Sequence, residues 1–163
     1  MSNLELSKNP NTLPETLKVL STDEDIRVRM GVARNPNTPP EVREVLATDK
    51  DYAVRWAVSR NSNTPLELLK VLATDKHHWV RGGLVRNPNT PLELLKVLVT
   101  DKHDGVRLRV AYNPDTPLEL LEVLATDKDY EVRKGVAKNP NSTEMIKKLV
   151  LMTDDKEMNS NAD

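Results

Sequence analysis

The side chains best equipped for chemistry are few in this chain, and they fall at regular intervals. The histidines are His77, His78 and His103, and there is no cysteine. His77 and His103 share one interval with Asp51 and Asp129, a spacing of nitrogen and oxygen donors that could suggest a metal site. Stacked helices, however, lie about 8–10 Å apart, whereas ligands of one zinc each come within about 2 Å of it. A second recurrence pairs Asp23, Asp49, Asp75, Asp101 and Asp127 with Arg29, Arg55, Arg81, Arg107 and Arg133, each six residues on. The arginine fork can donate to carboxylates and to orphan carbonyls of its own and adjacent units. A site is local and this pairing repeats everywhere, so it is read as structural. Phosphate loop, nucleophile elbow and metalloprotease pair are all lacking, so no catalytic residue, metal or cofactor is expected.

These residues recur because the whole sentence around them recurs. "RNPNTPPEVREVLATDK" from Arg34, "RNSNTPLELLKVLATDK" from Arg60 and "RNPNTPLELLKVLVTDK" from Arg86 are near copies, and "YNPDTPLELLEVLATDK" follows from Tyr112. Asn9, Asn35, Asn61, Asn87, Asn113 and Asn139 mark units that start at 9, 35, 61, 87, 113 and 139, an interval of 26 residues. The reading is one helical-repeat domain over 1–152, with a stub at 1–8, and a polar tail at 153–163.

Each unit reads as two helices. The first opens on Thr-x-x-Glu, as in Thr38 with Glu41, which predicts a capping box with the following Pro39 at the first helical position. Leu94, Leu95, Val97 and Leu98 predict a wide buried stripe on that helix. In the second, Val54, Ala57 and Val58 share a face at helical spacing, a short α-helix or one partly 3₁₀. Asn-Pro then ends the unit, because the residue before proline is pushed out of the helical region. A lone pair of such helices cannot bury its faces, so neighbouring units must stack.

With 163 residues the chain can bury a continuous core, one without Phe that must be built from Leu, Val, Ile and Ala. Its 24 basic and 25 acidic residues nearly cancel, so any electrostatic function must come from local patterning. Neither a signal peptide nor a membrane-spanning run is visible, and a cytoplasmic protein, monomeric or weakly oligomeric, is expected.

The recurring V-R-x-x-V-A-x-N-P-x-T-P, as in "VRWAVSRNSNTPLELLKVLATDK", resembles the leucine-rich repeat variant over about residues 4 to 150. The Asp and Arg columns are similar to those of HEAT repeats. The resemblance implies an all-α, right-handed superhelical solenoid of about six two-helix units, α alternating with 3₁₀, and no sheet. The founding form of that family also carries a Cys-rich iron–sulfur segment, which this chain, having no cysteine, does not share.

Columns that repeat hold the fold, so columns that vary are free to recognise something. Projecting the second helix with Val54 and Val58 inward turns Tyr52, Trp56, Ser59 and Arg60 outward. The same face carries His78, Arg86, Leu108 and Tyr112, with Trp79 at its edge. We expect it to bind a protein or peptide partner of unknown identity, without catalysis. The alternative is a nucleic acid tracking the basic column Arg34, Arg60, Arg86 and Lys138, broken by Tyr112.

Overall fold

The computed structural model describes residues 1–160, with side chains through 154. Among them there are twelve helices and no strand. First helices are α2 (Pro14–Leu20), α4 (Pro40–Leu46), α6 (Leu66–Leu72), α8 (Leu92–Leu98) and α10 (Leu118–Leu124). Second helices are α3 (Ile26–Arg34), α5 (Tyr52–Arg60), α7 (His78–Leu84), α9 (Asp104–Tyr112) and α11 (Tyr130–Lys138). The stub α1 (Asn3–Lys8) precedes them and α12 (Glu144–Ser160) follows. None of these helices is long and apolar enough to cross a membrane.

The chain forms two compact units, Met1–Leu94 and the part from Leu95 on, divided within α8. The sequence reading runs one domain over 1–152. In a helical repeat each pair contacts only its neighbours, so compactness need not extend along an array. In the first unit α3 packs on α1 and α5, and α5 on α7; in the second α11 packs on α9 and α12.

Both helices of a pair are α-helical, and the second is the longer, nine residues in α3, α5, α9 and α11 against seven in the first helices. Bonds three residues back occur at the helix ends, as from Val80 N–H to His77 O where α7 starts and from Asn61 N–H to Val58 O where α5 finishes. Helix α7 stops two residues early, at Leu84, after Gly82 and Gly83, the poorest helix formers apart from proline.

The capping box expected at the first helices does not form. Thr38 is buried, and its Oγ1 donates to Val32 O at 2.6 Å, closing the end of the preceding second helix. Thr64 does the same to Val58 O and Thr116 to Val110 O. The helix therefore starts one residue later, with Pro39, Pro65 and Pro117 at the N-cap in extended conformation and without a side-chain cap. The reciprocal box does occur in α1, between Ser2 and Glu5. The second helices are capped instead by Asp25, Asp51, His77, His103 and Asp129, which accept an N–H two residues on.

Three columns rivet neighbouring pairs. Asn87 Nδ2 donates to Ser59 O and Asn61 O of the preceding pair at 3.0 and 2.8 Å, while its Oδ1 accepts from Asn89 N–H. Asn35 and Asn139 repeat the arrangement. Asn63 Nδ2 adds a bond to Pro36 O. In the third column, Arg55 Nη1 reaches back to Asp49 O while its Nε and Nη2 grip the Asp75 carboxylate. The arginine thus takes the backbone of the aspartate six residues before it and the side chain of the one twenty residues after.

The tail expected to begin at 153 is helical through Ser160, and residues 161–163 lie outside the described residues. Asp154 of α12 binds Arg133 Nε, supplying the carboxylate that Asp127 supplies to Arg107.

Candidate partner-binding surface

Glycine sets how closely second helices approach. A Cβ on Gly83 would lie 2.0 Å from Ser59 Oγ and 3.0 Å from Trp56 Cδ1, so α7 sits directly on α5. Gly31 meets Ser7, and Gly135 meets Ala111, in the same way. The outward projection therefore misplaces one position. Ser59, with Ala33, Val85 and Ala111 in its column, is buried, because it forms this seam.

In the first unit the remaining outward residues fall into two groups. At the N-terminal ends of α5 and α7, Tyr52 stacks on His77 at 3.8 Å and His77 on His78 at 4.9 Å. Trp79 tilts against His78 at 5.9 Å and is 43% exposed. His77 Nδ1 also accepts Trp79 N–H, and His103 Nδ1 accepts Gly105 N–H, so these histidines serve as helix caps.

The second group lies at the C-terminal ends. Trp56 is half-buried, with the guanidinium carbon of Arg34 5.3 Å and that of Arg60 4.8 Å from its ring centroid. Its indole Nε1–H is buried with no acceptor. Two cavities open here. One, about 310 Å³, has Lys8, Arg27, Met30, Arg34 and Pro36 in its wall; the other, about 330 Å³, has Arg34, Pro36, Ala57 and Arg60. Burial lowers the Arg60 pKa, and the like charges of Arg86 and Arg34 lower it further.

In the second unit, Leu108 is half-buried and Tyr112 and Lys138 are exposed. A Cβ on Gly135 would meet Tyr112 Cε2 at 3.1 Å, so this tyrosine covers α11. The sequence-assigned residues are thus not one continuous floor within either unit.

Two features escaped the sequence reading. Val19, Val45, Val71, Val97 and Val123 form an exposed column on the first helices, 50–73% accessible, so Val97 does not belong to the buried stripe. Leu94, Leu95 and Leu98 of that helix do turn inward. The second is Arg43, which is 4% exposed in the column of Leu17, Leu69, Leu95 and Leu121. Its Nη2 donates to Pro36 O at 3.0 Å, its Nε has no partner, and burial lowers its pKa. A polar residue among the leucines of the first five repeats, in a column that also turns polar at Lys147 of the last, was the available signal.

Twelve helices packed as repeated pairs define a helical-repeat solenoid. The leucine-rich repeat variant family model matches residues 26–51 and 104–129, each window covering a second helix and the first helix after it. The fold is shared with a solved structure described as "a leucine-rich repeat variant with a novel repetitive protein structural motif". That match is at 24% identity and a TM-score of 0.52, over 87% of this chain and 72% of that one. No curated protein sequence matches. The resemblance to the leucine-rich repeat variant therefore holds for the repeats and for the fold.

Proposed function

We propose that this chain is a non-catalytic repeat scaffold that binds a protein or peptide segment over Arg34, Trp56 and Arg60. The observation that carries the reading is the pair of adjoining cavities, which share Arg34 and Pro36 and have no carboxylate among their lining residues. Arginine and tryptophan are the side chains most often found to anchor a partner. No catalytic step is assigned, since His77 and His103 have structural work as helix caps. The test is affinity capture with wild type and a Trp56→Ala/Arg60→Ala variant; identical partner sets would remove this face. Nucleic acid is the second reading, favoured by the column Lys8, Arg34, Arg60 and Arg86. Salt-dependent binding of a labelled oligonucleotide at micromolar protein would support it.

A further inference from the structure

We infer that the groove over Arg34, Trp56 and Arg60 takes an extended segment rich in aspartate and glutamate, whose carboxylates are held by the two guanidinium groups. This rests on the scaffold reading and specifies the chemistry of its partner.

Charge is the first support. Across the chain, basic and acidic residues are nearly equal in number, and most buried arginines are matched to a carboxylate, as Arg29 is to Asp49 and Arg55 to Asp75. The exposed cations Lys8, Arg34, Arg60 and Arg86 have no such match: among the described residues none forms an ion pair. Arg27 is the one cation in the cavity walls with an acidic partner, the partly exposed Asp25. The groove thus gathers positive charge that the fold does not neutralise. A carboxylate entering it would relieve the repulsion among Arg34, Arg60 and Arg86.

Pre-organisation is the second. A guanidinium resting on an indole loses rotamer freedom before any ligand arrives, so less entropy is lost when its fork closes on a carboxylate. Both Arg34 and Arg60 are held in this way by the same ring.

Shape is the third. Two shallow cavities in succession, each of a few hundred Å³, suit successive side chains of an extended chain better than one compact ligand. Neither wall contains an aromatic side chain. Sequence-tolerant binding of single-stranded nucleic acid needs free aromatic faces for its bases. Here the Trp56 ring is already shared between two guanidiniums and pressed by Gly83, while the exposed Tyr52 is stacked on His77.

The test uses three fluorescein-labelled probes followed by anisotropy: a peptide of alternating glutamate and alanine, its glutamine counterpart, and a short oligothymidylate. The glutamate peptide should bind in a salt-dependent manner, and the glutamine peptide should not. Arg34→Gln/Arg60→Gln should weaken that binding about ten- to a hundredfold, with circular dichroism unchanged. Arg34→Lys/Arg60→Lys, which keeps charge but loses the fork, should fall in between. Equal binding of both peptides, if lost in Trp56→Ala, overturns the acidic chemistry while leaving the scaffold reading in place. No binding of the glutamate peptide, or no effect of the glutamine variants, also overturns the inference. Tighter, Arg34- and Arg60-dependent binding of the oligothymidylate would assign the groove to nucleic acid instead.

Discussion

Arg55 donates through Nε and Nη2 to both carboxylate oxygens of Asp75, at 2.7 and 3.0 Å, across two successive helix pairs. Both side chains are largely buried, and Asp75 Oδ1 also accepts His77 N–H. Removing one partner leaves a guanidinium desolvated without its counter-charge. Asp75→Asn should therefore cost about 3 kcal/mol, measured by urea unfolding, far more than neutralising a surface aspartate.

The same column predicts how stability depends on pH. Burial pushes the Asp49, Asp75 and Asp127 carboxyls up, but the facing arginine forks, the backbone N–H donors and nearby cations outweigh it. The net effect holds all three below the ordinary carboxylate value. A carboxyl depressed in the folded state contributes its full stability above its unfolded pKa, about 3.9, and loses it as pH falls through the folded value. Urea midpoints should drop below about pH 4, and more shallowly in Asp75→Asn than in wild type.

Arg43→Leu should stabilise the protein by about 1–3 kcal/mol. It replaces a buried charge that has no carboxylate partner with the residue found at Leu17, Leu69, Leu95 and Leu121 of the same column, and Pro36 O keeps its bond from Asn63. Thermal and urea unfolding check this, and a loss of stability would mean that the leucine pocket is not formed around residue 43.

Gly83→Ala should destabilise by about 1–3 kcal/mol, because the added Cβ collides with Ser59 Oγ and displaces Trp56. A change in tryptophan fluorescence in the Trp79→Phe background, where Trp56 is the sole reporter, distinguishes displacement from simple loss of stability.

Asp154→Asn should cost about 1.5–3 kcal/mol, since it weakens the charge-assisted bond that Asp154 accepts from Nε of Arg133, a nearly fully buried arginine. A protein ended at residue 152 should lose at least as much, read as a lower urea midpoint.

The repeat made the fold legible. Asn61, Asn87 and Asn139 occupy the turn role their spacing implies, and Val54, Ala57 and Val58 lie inside as their periodicity requires. Thr38 was misread because its sequence context fits a cap equally well. Only the three-dimensional position of Val32 O reveals where its hydroxyl proton goes. Val97 was misread because its spacing places it on the edge of the apolar stripe, where a seven-residue helix leaves one side uncovered. Arg34 and Arg60 were legible as a column, but their meeting on Trp56 was not, since it depends on an approach between helices that Gly83 and Ser59 set.

The groove can be tested at a single proton. The chain has two tryptophans, Trp56 and Trp79, hence two indole N–H resonances in a nitrogen–proton correlation spectrum, assigned with the Trp79→Phe variant. On titration with the glutamate–alanine peptide, the Trp56 indole signal should shift in proportion to saturation, with that of Trp79 unmoved. A shift of Trp79 with Trp56 unmoved, or no shift of either at saturating peptide, would contradict binding over Arg34, Trp56 and Arg60.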